Sequence, residues 1–363
     1  MRLLYDSRIF DFQRVGGINR YFCEVISRLP PDWIVEMAGI SNVGPSLPRH
    51  ANFEIVPGVQ FRPRRFAGPI RKMYWEKWYY PKASVIHPTY YDFVDGVELK
   101  RIRRPIVLTV HDMIFATYPG LFPGSEKTIR DQREATKRAD HIVCVSHATE
   151  IDLLSRIPEA CGKTSVIHLA SSLSYIPSGN LSPSATEAES FIYVGARAAY
   201  KNFSFLLRAL ARAKRAEPTL KLKVVGGPLS IDERWEIKLL GLTEAIEVVL
   251  YPDEESLRHL YAESLALLYP STHEGFGIPP LEAMSCGTLA VTSDRTSIPE
   301  VVGDAGIMLD PTDEDQWCEC MVAIHRGTMD RGAYIQRGVE RAKAFSWDTT
   351  ARLHVDIYRK FAG

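Results

Sequence analysis

The stretch LALLYPSTHEGFGIPPLEAM, residues 265–284, contains the pattern that decides the fold class. Its first residues form a short apolar run that predicts a buried strand, and a glycine-bearing loop follows. The apolar spacing of its last residues predicts a helix that begins near Ile278. Pro279 and Pro280 then lie in the first helical turn, where a missing N–H is tolerated. A strand, a loop and a helix in this order form the repeating unit of an α/β protein.

The same alternation runs through the whole chain. The short apolar runs that predict parallel strands are RLLYDSR, ASVIHP, RPIVLTVHD, DHIVCVS, KTSVIHLA, SFIYVGA, LKLKVVGGP, AIEVVLY, SLALLYPS, TLAVTS and AGIMLD. Between them, segments such as SEKTIRDQREATKRA and FSFLLRALARAKR have the apolar spacing of helices. We therefore expect two doubly wound, Rossmann-like domains, with the ligand in the cleft between them.

The domain boundaries follow from composition. A segment rich in Ser, Pro and Gly at 173–189 predicts a linker between a domain at 1–172 and a second at 190–345. An amphipathic helix predicted at 346–363 follows the second domain, and we expect it to pack back on the first.

Charge and cysteine usage exclude several classes of function. The 363 residues carry 44 basic and 44 acidic side chains, so nothing in the overall charge points to nucleic acid. The six cysteines show neither zinc-ligand spacing nor a disulfide framework. No secretory signal and no apolar run of ~18 residues is evident, and we expect a cytoplasmic protein.

Two glutamates flank the start of the helix in the opening stretch. Backbone N–H groups at a helix N-terminus attract phosphate or sugar oxygens, and here they belong to Gly275, Phe276, Gly277 and Ile278. Glu274 at the loop could accept hydrogen bonds from sugar hydroxyls, and Glu282 could bind a vicinal diol such as a ribose. The alternative is an ordinary strand-to-helix turn with one solvated and one capping glutamate.

Segments in the same order along most of the chain resemble the retaining glycosyltransferases of family 4, which have the GT-B fold. EGFGIPPLEAM is similar to the E-x7-E signature of that family, VGGINRY to its N-terminal glycine loop and LTVHDMIFATYP to its His-Asp segment. VCVSHATEIDLL, YVGARAAYKNF and TSIPEVVGDAGIML resemble its serine-started helix, its phosphate-binding Arg/Lys loop and its distal strand. The resemblance implies that a nucleotide sugar is the donor.

The resemblance also implies roles for individual residues. Arg197 and Lys201 would neutralise the departing diphosphate, although many relatives have one more residue between the two cations. The backbone of Gly16 and Gly17 would approach that diphosphate, and His111 would touch the transferred sugar. For each of these residues a purely structural role is the alternative, and His87 and His273 are second candidates for His111.

One acidic segment of the sequence resembles a metal-binding motif. The acidic triplet 313–315 spells the D-x-D of another, metal-dependent glycosyltransferase fold, but its context predicts a helix capping box formed by Thr312 and Asp315. We therefore expect no metal and no other cofactor.

The acceptor side is predicted from a basic and aromatic segment, FRPRRFAGPIRKMYWEKWYYPK, at 61–82. Such a surface suits an anionic membrane face or a lipid-diphosphate-linked acceptor. Its first cations are Arg62, Arg64, Arg65, Arg71 and Lys72. The alternative is a solvated helix face whose aromatic residues lie in the core.

The resemblance therefore implies a retaining hexosyltransferase that extends a bacterial surface glycan such as lipopolysaccharide. Mannose from GDP-mannose is the expected donor, and the acceptor is a glycan or a lipid-linked glycan. The alternatives are a transferase that uses a UDP-sugar or another donor, a nucleotide-sugar epimerase of the same architecture, and a non-catalytic binding module.

Overall fold

The computed structural model describes residues 1–12, 16–39, 47–57, 67–94, 97–174 and 190–363. The chain divides into two compact units. The first unit consists of Met1–Leu169 together with Ser346–Gly363, and the second of Ala170–Phe345. Most of the predicted linker, 175–189, lies outside the described residues.

Short strands provide the framework of both units. They are β1 (Arg2–Asp6), β2 (Ile34–Ala38), β3 (Phe53–Val56), β4 (Val85–His87), β5 (Val107–Val110), β6 (His141–Cys144), β7 (Thr164–Val166), β8 (Ser190–Val194), β9 (Lys221–Gly226), β10 (Ile246–Leu250), β11 (Leu267–Tyr269), β12 (Ala290–Ser293) and β13 (Ile307–Leu309).

Helices follow most of these strands. They are α1 (Arg8–Phe12), α2 (Gly17–Ser27), α3 (Ala67–Tyr74), α4 (Ile114–Thr117), α5 (Glu126–Arg138), α6 (His147–Arg156), α7 (Phe203–Ala216), α8 (Ile231–Leu239), α9 (Glu254–Ala262), α10 (Ile278–Ser285), α11 (Ile298–Val302), α12 (Glu314–His325), α13 (Arg331–Ala342) and α14 (Trp347–Ala362).

In the first unit the strands form two parallel sheets that continue into one another. One has the order β3-β2-β1-β4 and the other the order β5-β6-β7. A parallel bridge between Ile86 and Ile106 connects them, so the carboxyl ends of β4 and β5 lie side by side. Residues after β5 therefore lie at the edge of a sheet where α/β proteins hold their ligands.

The last helix, α14, belongs to the first unit and packs against α2 and β4. The Arg28 guanidinium at the end of α2 lies 2.8 Å from a carboxylate oxygen of Asp348. Ser346 precedes α14, but its side chain makes no capping hydrogen bond, in contrast to Ser146, whose hydroxyl accepts from the N–H of Thr149 at the start of α6.

The second unit contains one six-stranded parallel sheet in the order β10-β9-β8-β11-β12-β13. Strands β8, β11 and β12 are buried along their whole length because helices cover both faces. Side chains of α7 and α12 pack on this sheet and include Leu206, Leu210 and Trp317. The chain leaves β8 in one direction and returns to β11 on its other side, so the topological switch point lies between these two strands.

The prediction of α/β architecture with doubly wound parallel sheets is confirmed, and every strand predicted from an apolar run is present. One detail of the sequence interpretation is wrong. Asp313, and not Thr312, caps α12, because its carboxylate accepts from the N–H groups of Asp315 and Gln316. The two other acidic residues of this triplet, Glu314 and Asp315, make ion pairs with arginines of α7.

Two buried histidines predict how stability depends on pH. Burial lowers the pKa of His354 to about 4 and lowers that of His87 well below its ordinary value of 6.5. Between pH 6.5 and about 4 the unfolded chain therefore binds protons at these two histidines that the folded chain does not, so their contribution to stability falls as the pH falls. Asp6 acts in the opposite direction, because burial raises its pKa to about 7 and the folded chain binds its proton first. For His354 the full difference is worth roughly 3 kcal/mol.

Urea unfolding at pH 7.5, 6.0 and 5.0 measures this effect. We expect the unmodified chain to lose stability relative to His354→Gln at each step, because the variant lacks this titrating group. The control is His259→Gln, which changes an exposed histidine of α9 and should retain the slope of the unmodified chain. A stability difference between the unmodified chain and His354→Gln that stays the same from pH 7.5 to 5.0 would contradict the prediction.

Candidate active site

The candidate site of the second unit lies at the carboxyl ends of β8 and β11, on either side of the switch point. The segment after β8 ends in Asn202, whose left-handed backbone (φ 58°) turns the chain into α7. The segment after β11 is joined to it by Thr272, whose N–H donates to the carbonyl of Tyr200 at 2.8 Å. These two segments carry Lys201 and Glu274.

Lys201 and Glu274 form a direct ion pair. The Lys201 Nζ atom lies 2.6 Å from Glu274 Oε1, and both side chains are largely buried, with 14% and 10% of their surface exposed. Little water screens such a pair, so its charges interact more strongly than those of a surface ion pair. The sequence predicted both residues at one site, and the structure brings them together.

Tyr269, the last residue of β11, completes this pair and was missed by sequence analysis. Lys201 Nζ donates to its hydroxyl at 2.8 Å, and the hydroxyl donates to Glu274 Oε1 at 2.6 Å. Burial and the neighbouring Glu274 carboxylate raise the pKa of Tyr269 well above 10, so it remains a neutral donor. Two of the three ammonium hydrogens of Lys201 are used, and the third has no partner among the described residues.

The loop that carries Glu274 is fixed by hydroxyl groups from the turn before α11. The Glu274 N–H donates to Thr296 Oγ1 at 2.9 Å, and the Ser297 hydroxyl lies 2.9 Å from the carbonyl oxygens of both Glu274 and Phe276. Gly277 precedes α10 with φ 103°, and a Cβ there would lie 2.7 Å from Ile298 Cδ1. Gly277 therefore permits both the left-handed backbone and the close packing on Ile298.

Helix α10 begins at Ile278, as predicted, and places Glu282 inside the protein. Only 4% of Glu282 is exposed, and its Oε2 atom accepts a hydrogen bond from the Tyr261 hydroxyl at 3.1 Å. A buried carboxylate is retained where donors satisfy it. Tyr261 is one such donor that the sequence did not indicate.

Arg197 does not join the Lys201 pair. Its Nε donates to Glu233 Oε1 at 2.7 Å, and its Nη2 donates to the carbonyl oxygens of Gly227 and Pro228. No hydrogen bond or ion pair connects it to Lys201 within the described ranges. Its Nη1 atom is buried and has no hydrogen-bond partner among the described residues.

The candidates of the first unit lie after β5 and before α2. His111 directly follows β5, and its buried Nε2 has no hydrogen-bond partner in the described part of the chain. Burial and the nearby His354 lower its pKa to about 3, so the ring is neutral. Gly16 is the residue before α2, and Gly17 is the first residue of that helix.

The basic segment of the first unit is only partly described. Arg62, Arg64 and Arg65 lie outside the described residues, whereas Arg71 and Lys72 lie in the last turn of α3. Exposed side chains nearby include Met73 and Trp78, with 46% and 62% of their surface exposed. None of the helices described is long and apolar enough to cross a membrane.

Two family models match the chain, one in each half. Residues 15–171 match Glycosyltransferase Family 4, and residues 181–328 match Glycosyl transferases group 1. The first match includes Gly16, Gly17 and His111, and the second includes Lys201, Glu274 and Glu282.

Curated relatives are similar over most of the chain. O-antigen chain mannosyltransferase B of Escherichia coli is 31% identical over 269 residues, which are 70% of this chain and 70% of that protein. D-inositol 3-phosphate glycosyltransferase of Streptosporangium roseum is 24% identical over 94% of this chain and 88% of that protein.

Solved structures share the whole fold at low identity. WaaG, a glycosyltransferase involved in lipopolysaccharide biosynthesis, has a TM-score of 0.74 at 15% identity and covers 98% of this chain and 99% of its own. HepE of Anabaena, solved with UDP-glucose, has a TM-score of 0.73 at 16% identity and covers 99% of this chain and 100% of its own.

Proposed function

The chain belongs to the family 4 glycosyltransferases with the GT-B fold, and from this premise we propose that it transfers mannose from GDP-mannose to a surface glycan with retention of configuration. The observation that carries the proposal is the Lys201–Glu274 ion pair at the switch point of the second sheet. The similar proteins that are named mannosyltransferases of O-antigen chains support the choice of sugar and of pathway.

Lys201 neutralises the leaving group in this proposal. When the bond between the sugar carbon and the phosphate oxygen breaks, the nucleoside diphosphate departs with the electron pair and needs a positive partner. One hydrogen of the Lys201 ammonium has no partner among the described residues. Glu274 and Tyr269 hold the ammonium in place through the other two. This fixed cation takes the place of a metal ion, so we propose that the transfer needs no metal.

Glu274 and Glu282 bind the donor on either side of the diphosphate. The loop that fixes Glu274 places its carboxylate beside the Lys201 cation, where it accepts hydrogen bonds from the transferred sugar. Glu282 accepts hydrogen bonds from the ribose hydroxyls. Its buried carboxylate, which already accepts from the Tyr261 hydroxyl, is the kind of group that binds a diol in dinucleotide sites. The Nη1 group of Arg197 and the backbone at Gly275–Ile278 contribute further donors to phosphate oxygens.

In the first unit, His111 binds the transferred sugar and Gly16 and Gly17 bind the diphosphate. His111 is neutral and its buried Nε2 is without a partner among the described residues, so it can exchange a hydrogen bond with a sugar hydroxyl. The acceptor hydroxyl attacks the sugar carbon from the face that the leaving group departs from. Its proton passes to the departing phosphate oxygen, which completes the transfer with retention.

The acceptor is a glycan or a lipid-diphosphate-linked glycan on the cytoplasmic face of an anionic membrane. The exposed Met73 and Trp78, with the cations of α3 and its neighbours, form the surface that would meet it. Apolar and aromatic side chains among cations are the composition that binds anionic lipid surfaces.

A transfer assay with a donor panel tests the proposal. The purified chain is incubated with GDP-mannose, UDP-glucose, UDP-galactose or UDP-N-acetylglucosamine, and with a polyprenyl-diphosphate glycan in anionic or neutral vesicles. We expect GDP-mannose to be consumed fastest, an α-linked product, a higher rate on anionic vesicles, and full activity in EDTA. If a UDP-sugar is consumed faster, the proposal that GDP-mannose is the donor is wrong. A β-linked product would contradict retention of configuration, and formation of an epimer would contradict the proposed transfer reaction. Equal rates on both vesicles overturn the membrane contact, and loss of activity in EDTA overturns metal independence.

A further inference from the structure

A continuous row of buried hydrogen-bonding groups connects α14 to the sheet of the first unit and to α2. We call this row the polar chain. Its members, in order, are Tyr5, Tyr358, His87, Thr109, Tyr21, His354 and the carbonyl of Thr350. The side chains of all six residues before that carbonyl are buried.

The carbonyl at one end determines the first hydrogen positions. His354 Nδ1 lies 2.7 Å from the carbonyl oxygen of Thr350, which can only accept, so Nδ1 carries a hydrogen. Burial lowers the pKa of His354 to about 4, so the ring is neutral and Nε2 carries none. The Tyr21 hydroxyl, 2.5 Å from Nε2, must therefore donate to it.

Each following hydrogen is then fixed in turn. Because the Tyr21 hydrogen is used, Thr109 must donate to Tyr21 across 2.8 Å, and His87 Nε2 must donate to Thr109 across 2.9 Å. His87 is neutral as well, so its Nδ1 accepts from the Tyr358 hydroxyl at 2.6 Å, and Tyr5 donates to Tyr358 at 2.9 Å. Every hydroxyl and ring hydrogen is used once, and all donate toward α14's Thr350.

The polar chain passes beside His111 at Tyr21. The Tyr21 ring lies edge-on to the His111 ring, with centroids 5.0 Å apart and an interplanar angle of 87°. Tyr21 also belongs to α2, the helix that begins at Gly17. His354 and Thr109 hold the hydroxyl of Tyr21. These two hydrogen bonds therefore fix the Tyr21 ring, which contacts the His111 ring.

We propose that Tyr21 and His354 are positioning residues for the transfer reaction, which hold the His111 ring and the start of α2 through the one-way polar chain. The proposal rests on the role proposed for His111 above. Small displacements of a group that contacts the reacting sugar are costly, because the reacting atoms must be aligned before reaction. Helix α14 is far in sequence from the other elements that contribute to the polar chain. Through His354 it nevertheless helps to orient His111.

The hydrogen positions are tested by NMR of the full chain with 15N-labelled histidine at pH 7.5. We expect His354 as the Nδ1–H tautomer and His87 as the Nε2–H tautomer, and the opposite tautomer at either residue overturns the one-way order. Tyr21→Phe should also shift the His111 ring resonances. This measurement needs no enzymatic activity, so it decides the positioning even if the proposed transfer is not observed.

Kinetics distinguish positioning from a structural role. We expect Tyr21→Phe to lower kcat about tenfold or more with little change in the donor KM, since donor binding is retained while alignment is lost. His354→Ala should act in the same direction, and His354→Gln, whose amide oxygen can accept from Tyr21, should restore part of the rate. Thr136→Val is the control, because it removes another buried hydroxyl of the same unit, in α5 and outside the polar chain. Unchanged kcat in Tyr21→Phe, or an equal loss in Thr136→Val, overturns the proposal.

Discussion

Replacing Lys201 with methionine is expected to lower kcat by about a hundredfold to a thousandfold, the usual loss when a preorganised electrostatic contact to a developing charge is removed. Methionine keeps the length and apolar stem of the side chain, so the change removes chiefly the charge and the donors. The leaving diphosphate then has no cation from this position, and Glu274 loses its counter-ion at 2.6 Å. Steady-state kinetics with saturating acceptor measure the loss.

The matched control is Lys221→Met, the same change at the first residue of β9, at the opposite end of the strands in the same sheet. We expect that variant to retain the activity of the unmodified chain. Thermal unfolding of both variants checks that they are folded at the assay temperature. If Lys201→Met keeps kcat and changes only the donor KM, the cation contributes to binding alone and not to leaving-group departure.

Strand prediction from the sequence succeeded where burial produces a continuous apolar run, as in β8 and β12, and failed at two strands of the first sheet. Strand β2 contains Glu36 in its centre, a residue that is almost fully buried and lies 3.6 Å from the Arg2 guanidinium. A charged residue in the middle of a strand interrupts the apolar run from which the other strands were predicted. Its ion-pair partner, Arg2, is distant in sequence, so the local sequence does not show that the charge can be buried. Strand β3 was missed since it is short and partly exposed at the sheet edge.

The expected GT-B fold is confirmed by solved structures that share it over nearly the whole chain. Local sequence indicated Glu274 at the loop before a helix start, and the resemblance to the family indicated Lys201. Local sequence did not indicate Tyr269, because a tyrosine that ends an apolar strand has the pattern of a core residue. The contact of Tyr21 with His354 joins residues 333 positions apart, and no local pattern contains such information.

Arg197 shows the limit of assigning a role from a motif. The sequence placed it beside Lys201 as a second cation, but its Nε is already occupied by Glu233. Glu233 also belongs to the capping box of α8 with Ser230. Arg197 is therefore held by the start of α8, and among the described residues only its buried Nη1 group is left without a hydrogen-bond partner.

Replacing Glu274 with glutamine is expected to lower kcat by about tenfold to a hundredfold and to reveal coupling with Lys201. Glutamine keeps an oxygen that can accept from Tyr269, but it removes the charge that holds the ammonium in place. Part of the effect of Glu274 therefore acts through Lys201. In the double variant with Lys201→Met, the losses should be clearly less than multiplicative, since contacting residues are not independent.

The control for this cycle is Glu282→Gln combined with Lys201→Met. Glu282 contacts Tyr261 and makes no ion pair with Lys201 among the described residues, so its effect should multiply with that of Lys201. Measurement of kcat for the unmodified chain, the two single variants and the double variant of each cycle provides both coupling terms. Multiplicative losses for Glu274 and Lys201 would mean that the ion pair does not position the cation during transfer. Glu274 would then act on the sugar alone, and Tyr269 would remain as the group that holds Lys201.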